Sequence, residues 1–253
     1  MIMNESVIIG PLVIPVNFVS YGLAIFAVLL YYLKWHTAVA DREKRLSTDI
    51  LLSAFFYALL AWKLSPLLFR PLFFLQDPVL LLFYRGGYKE LWVAVLVFSV
   101  YLLFKTKKQS LPLVNQLNLL ILITIVAGFI QSVLTRQRGN QIEWTWLADL
   151  LSLEAHPVHL YQMFWHVLLL MWIVWQGFHP QSVRWLGQAL TGFSSGQLLI
   201  STAAREQMPL LGLIEPRQFY FFLLVIGFIM LIKARREKTI DCLEIRSADE
   251  KRN

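Results

Sequence analysis

Seven mostly apolar stretches recur along the chain: Val16 to Leu33, Asp49 to Phe69, Leu91 to Phe104, Leu117 to Leu134, Leu160 to Phe178, Val183 to Thr202 and Phe219 to Ile232. Most approach the roughly 20 residues a helix needs to cross a hydrocarbon core about 30 Å thick. Only a helix or a closed barrel satisfies its own backbone polar groups there. The pattern predicts an all-α polytopic membrane protein with about seven transmembrane helices. The third stretch is short, so its helix should begin before Leu91. The sixth carries Gln188, Ser194, Ser195 and Gln197, and such a helix should face protein or a wet cavity rather than lipid.

The polar connections alternate in charge. Lys34, Arg42, Lys44 and Arg45 follow the first stretch, Lys105, Lys107 and Lys108 the third, and Lys233, Arg235, Arg236 and Lys238 the seventh. These are every second connection, so the positive-inside rule assigns them all to the cytoplasm. The N-terminus is then outside, the C-terminus cytoplasmic, and the expected location the plasma (inner) membrane, crossed several times. Pro71 to Tyr84 is apolar but too short to span, which fits a re-entrant or interfacial segment after the second helix. Residues 1–238 read as one transmembrane domain and residues 239–253 as a polar cytoplasmic tail.

Composition agrees with the pattern. The 253 residues are 57% hydrophobic and 15% charged, where a soluble domain carries about 25% charged residues. The net charge of +7 is explained by basic residues beside helix ends, so no nucleic-acid partner is expected. The single cysteine, Cys242, lies in the tail, which rules out a disulfide within one chain. Met1 to Ser6 contains Glu5 and no basic residue, so the first apolar stretch reads as a retained helix rather than a cleaved signal.

Polar groups at membrane depth carry the chemistry, because each needs a partner or a purpose. Lys63, late in the second stretch, either snorkels to the interface or faces a site beside Ser65 and Pro66. Gln131 in the fourth either bonds a neighbouring helix or positions a ligand. Arg136, Arg138 and Gly139 follow it, as a positive rim or as a cradle for a lipid phosphate. Glu154, Ala155, His156, Pro157, Val158, His159, Leu160 and Tyr161 open the fifth stretch. Its two histidines can act as base, acid or oriented hydrogen-bond partner. A zinc site would need a further well-placed ligand, so neither metal nor cofactor is expected. His166, deeper in the helix, reads as a core hydrogen-bond partner.

Several of these segments, in order, resemble prolipoprotein diacylglyceryl transferases. Ile9 to Phe26 (IGPLVIPVNFVSYGLAIF) is similar to that family's opening, with Tyr21, Gly22 and Leu23 as its Tyr-Gly-Leu. Asp49 to Phe69 looks like its next helix, with Lys63 where an arginine usually stands. Asp77 to Tyr88 (DPVLLLFYRGGY) is similar to its Asn-Pro segment with a following Gly-Gly pair, here Gly86 and Gly87. His156, Pro157, Leu160 and Tyr161 match its His-Pro-x-Gln-Leu-Tyr-Glu run. The chain departs from the family at Leu91, where a histidine is usual, and along Ala127 to Gly139. There Gly128 replaces an arginine, Gln131 an asparagine and Arg136 a glutamate, while Gly139 is retained. Arg205 and Glu206 match a trailing Arg-Glu pair.

The resemblance implies transfer of the diacylglyceryl group of phosphatidylglycerol to the lipobox cysteine of a prolipoprotein at the outer leaflet. Its partners are then phosphatidylglycerol, prolipoprotein signal peptides and membrane lipid. Tyr21, His156 and His159 would be the catalytic set. Lys63, Gln131, Arg136, Arg138, Gly139, Tyr161 and Arg205 would bind substrate. The alternative reading keeps the scaffold without the reaction, as a lipid-binding or lipoprotein-handling accessory.

Overall fold

The structure, a computed structural model, describes residues 6–9, 12–35, 39–76, 87–137, 139–141, 155–204 and 215–250. Strands β1 (Ser6–Ile9) and β2 (Leu12–Pro15) form an antiparallel pair with Ser6 opposite Pro15 and Ile9 opposite Leu12. Their β-branched run, Val7, Ile8, Ile9, Val13 and Ile14, favours pleated pairing. The hydropathy pattern marks this stretch only as a lead-in to the first helix, so the hairpin is an addition to it. Everything else regular among the described residues is helical.

Helix α1 (Val16–Trp35) follows the hairpin directly. Helix α2 (Asp41–Leu64) starts well before the apolar stretch, because Asp41 and Glu43 suit the positive end of the helix dipole. It stops at Ser65, since Pro66 has no N–H to continue the ladder, and short helices α3 (Pro66–Phe69) and α4 (Pro71–Gln76) follow. The remainder of the expected re-entrant segment, from Asp77, lies outside the described residues. Helix α5 (Tyr88–Lys108) begins before Leu91 as the sequence predicts and ends on Lys105, Lys107 and Lys108, cations that suit carbonyl ends. Helices α6 (Leu113–Leu134), α7 (Val158–Gln176), α8 (Val183–Ala203) and α9 (Pro216–Glu250) complete the chain. The last runs far beyond Ile232, through the residues read from sequence as a tail.

Two compact units divide the chain. One comprises Leu29–Gln116 and Met208–Glu215; the other comprises Met1–Val28, Leu117–Gln207 and Pro216–Asn253. In the first, α2 and α5 interlock through Phe55 against Phe98, ring centroids 5.0 Å apart, and Tyr57 against Tyr101 at 4.9 Å. Buried Ala54 and Ala94 take little room among them. Asn115 donates to the Tyr32 hydroxyl at 3.1 Å and to Ser47 Oγ at 2.8 Å, all three fully buried. Deleting one member of such a set strands the others without water. Asn115→Ala should therefore cost about 1–3 kcal/mol, read as a lower midpoint of thermal unfolding in detergent. Gln109→Ala, at an exposed position just past the end of α5, is the control and should change stability by no more than about 0.5 kcal/mol.

In the second unit, α8 is the hub. Its N-cap Ser182 accepts from Trp185 N at 3.1 Å. Fully buried Trp185 donates to the Gly177 carbonyl at 3.2 Å and meets Phe178 edge-on at 4.9 Å. Against α9, the close approach uses small residues: a Cβ on Gly187 would come within 3.0 Å of the Gly227 carbonyl, and one on Gly227 within 2.6 Å of Thr191 Oγ1. Small residues that let backbones approach are how helices associate without a hydrophobic drive. Ser194 and Gln197 of α8 are buried, in keeping with a helix that faces protein.

Among the described residues, four helical stretches are long and apolar enough to cross a membrane: Asp41–Phe69, Leu113–Leu134, Val158–Gln176 and Pro216–Arg236, with Phe18–Lys34 as a shorter apolar helix. Their outer faces carry large side chains with no protein over them, including Val174 at 83% and Trp175 at 84% exposure. An apolar surface of that extent is stable against lipid, not water.

Candidate functional site

Three chain segments are stitched together at one end of the second unit. Helix α6 closes with Thr135, whose N–H and hydroxyl both bond the Gln131 carbonyl at 2.9 Å. The chain then continues as Arg136, Gln137 and, past Arg138, Gly139. The Gly139 N–H donates to the His156 carbonyl at 2.7 Å, the His156 N–H returns to the Asn140 carbonyl at 3.0 Å, and Asn140 N–H reaches the Ala203 carbonyl at 3.0 Å. Gln141 and Ala155 form an antiparallel bridge beside them. The end of α6, the start of α7 and the end of α8 are thus held by backbone hydrogen bonds. The start of α9 joins them, since Arg217 Nη2 donates to the Ser201 carbonyl at 3.0 Å.

Gly139 is what lets them meet. A Cβ there would overlap the Ala203 carbonyl oxygen and come within 2.7 Å of Val158 Cγ2. Beneath lies a small apolar core of Val158, Ile200 and Ala204, with Trp165 against it.

The two histidines emerge from this knot with different partners. His156 Nδ1 lies 3.2 Å from the Tyr161 hydroxyl, which can donate or accept. His159 Nδ1 lies 3.1 Å from the Gln137 carbonyl oxygen. A carbonyl only accepts, so Nδ1 of His159 carries the proton and, in the neutral ring, Nε2 presents a lone pair. That is the arrangement of a proton acceptor whose tautomer is set by the backbone.

Deeper in the unit, buried His166 donates from Nδ1 to the Gln162 carbonyl at 2.6 Å and faces the Gln197 amide with Nε2. Its ring fills the space over Gly128, where any Cβ would overlap it. The core role read from sequence for His166 agrees with this placement. Trp165 sits over Gly196 in the same way and donates to the Gly192 carbonyl at 3.1 Å.

Of the residues singled out from sequence, Gln131, Arg136, Gly139, His156, His159 and Tyr161 belong to the stitched region or its adjoining turns. Arg136 is exposed and Gln131 half-buried. Tyr21 lies on α1 in the same unit; on α9, Tyr220 packs on Phe193, which touches His166. Lys63 is in the other unit, its ammonium 5.9 Å from the Trp62 ring. Arg138 and Arg205 lie outside the described residues. Sequence reading misses Asn140, Trp165 and Arg217. The Gly192 to Gly196 spacing, a G-x-x-x-G, is the available signal for Trp165. Nothing local marks Asn140 or Arg217, whose roles depend on the end of α8.

Among the described residues, no group of three or more His, Cys, Asp or Glu side chains is placed to hold a metal ion. The apolar spans and the lipid-facing surface are those of a helical membrane protein. Compared with protein-family models and with curated proteins, the chain matches none.

Proposed function

We propose that this protein transfers the diacylglyceryl group of phosphatidylglycerol to the lipobox cysteine of prolipoproteins at the outer leaflet of the plasma membrane. The observation that carries the proposal is the stitched end of α6, α7 and α8. It holds His159 as an oriented acceptor within the segment that also bears Arg136 and Gly139. By the alternation of basic loops this end is extracytoplasmic, and the resemblance to the transferase family, carried by Tyr21 and by the His156 to Tyr161 run, names the reaction.

The chemistry required is displacement at a glycerol carbon. A cysteine thiol gives its proton to a base, the thiolate attacks the glyceryl carbon of the lipid, an S–C bond forms and the C–O bond to phosphate breaks. Glycerol phosphate departs with the bonding pair. Nε2 of His159 takes the thiol proton, because thiolate and not thiol is the nucleophile. Arg136 meets the phosphate charge as it develops. Tyr161 orients His156, and Gln131 and Tyr21 position the headgroup.

Gly128 favours a second reading. At the position where the resembling family carries an arginine, this chain has a glycine whose space is filled by His166, so no cation acts from there. A scaffold that binds lipid or lipoprotein without catalysis fits that loss.

Complementation separates the two. In a strain depleted of its own transferase, the wild-type chain should restore lipidated lipoprotein. His159→Gln should lower the rate about a hundredfold or more, the usual contribution of a positioned base. Wild-type protein that reaches the membrane in normal amount and restores no lipidation would exclude the transferase reading in favour of the accessory one.

A further inference from the structure

The unit that contains α2 and α5 carries a buried polar layer at the end that bears Lys105, Lys107 and Lys108. The Leu111 N–H bonds the Thr106 carbonyl at 3.1 Å, which folds the start of α6 back onto the last turns of α5. From the first turn of α6, Asn115 reaches Tyr32 of α1 and Ser47 of α2. The ends of four helices are thereby brought into one layer. Beside that bonded set, Lys44, Thr48, Thr106 and Gln116 are buried there as well.

Direct bonds leave this layer unsatisfied. Among the described residues, five buried side-chain polar atoms have no hydrogen-bond partner, and four of them lie here: the hydroxyls of Thr48 and Thr106 and both ends of the Gln116 amide. Gln116 is 0% exposed, and a primary amide buried with neither end bonded carries the full penalty of its desolvation. The layer is thus built to receive a partner, and its atoms limit what the partner can be. Gln116 Nε2 needs an acceptor and Oε1 a donor, while each hydroxyl can serve as either. A metal cation would answer the oxygens and leave the amide N–H groups bare. An anion would answer the donors and leave Oε1 bare. The layer's buried charge, Lys44, is paired with Asp41 at 2.7 Å, which leaves no charge to hold an ion. The partner is neutral, small, and both donor and acceptor.

We propose that this layer binds ordered water, centred on the Gln116 amide, with the hydroxyls of Thr48 and Thr106 completing its hydrogen bonds. A buried water makes about three hydrogen bonds, so one molecule at each end of the amide accounts for the four atoms. The water links α2, α5 and α6 through side chains that make no direct bond to one another. The site uses none of the residues assigned to diacylglyceryl transfer, so it stands or falls apart from that reaction.

The test is hydroxyl-radical footprinting of the protein in nanodiscs, with radicals made from water by an X-ray pulse and the products read by mass spectrometry. A buried ring is oxidised only where water lies against it. Tyr32, fully buried and bonded to Asn115, is the reporter. It should be oxidised at doses that label exposed Tyr88. The triple variant Thr48→Val, Thr106→Val, Gln116→Leu gives the layer an apolar lining; such linings stay dry, so the Tyr32 label should fall about tenfold. A density map of the wild-type protein, at a resolution that shows ordered water, does not depend on the variant folding. It should place water within hydrogen-bond distance of the Gln116 amide. An unlabelled Tyr32, a label unchanged in the folded triple variant, or a map in which that amide bonds directly to protein or to another species would each overturn the proposal.

Discussion

Gly196→Ala is expected to destabilise the protein by about 3 kcal/mol, the upper end for overpacking a close-packed interior. The added methyl would occupy the space of the Trp165 indole, overlapping its ring nitrogen, ring carbons and the approach to α8. The indole is also tethered, since Trp165 Nε1 donates to the Gly192 carbonyl at 3.1 Å. It cannot swing away without leaving its own N–H unpaired and a void behind it. Thermal unfolding in detergent measures the loss. Combining Gly196→Ala with Trp165→Leu should recover part of it, because residues in direct contact couple in a double-mutant cycle. Gly22→Ala supplies the control: nothing lies within 4 Å of a Cβ there, and inside helix α1 the change should leave stability equal to the wild type or raise it by up to about 1 kcal/mol.

Gly139→Ala should have a comparable cost and a more local signature. Here the obstacle is the Ala203 backbone carbonyl, which belongs to the last turn of α8 and also accepts the Asn140 N–H. A side chain could rotate aside; this carbonyl cannot without breaking that bond. The three segments should come apart at that end while α8 and α9 stay packed through Gly187 and Gly227. The expected result is faster hydrogen exchange across Gly139 to Gln141 and Ala155 to His159, together with loss of any lipidation activity. The interior around Trp185 should remain protected, because local opening need not carry the whole unit with it.

The helices are legible in the sequence because their apolar runs approach the length a bilayer demands, and each run corresponds to a helix. Boundaries are less legible. Asp49 looks like a start because hydropathy begins there, whereas the helix begins at Asp41, among residues that are polar but good for a helix N-terminus. The seventh stretch ends, by hydropathy, at Ile232; the helix continues to Glu250 because Lys, Arg and Glu are strong helix formers with no need of lipid. The hairpin escapes a sequence reading because a pair of four-residue strands before a long helix presents no clear alternation.

The site divides in the same way. His156, His159 and Tyr161 stand close in sequence, and their chemistry draws notice before any geometry. Gly139 stands out in sequence as part of a phosphate cradle, while its place in the fold is a close approach to the Ala203 carbonyl. Gln137 carries no signal because it acts through its carbonyl, which every residue has. The tautomer of His159 therefore depends on a contact between segments that no single stretch of sequence displays.

Purified protein in phosphatidylglycerol liposomes, given a synthetic lipobox peptide and followed by mass spectrometry, puts the transfer reaction itself to the test. A transferase increases the peptide mass by one diacylglyceryl group on cysteine and releases glycerol phosphate in equal amount, and His159→Gln slows both together. A cysteine that stays unmodified while the protein remains folded and retains the lipid would contradict the claim.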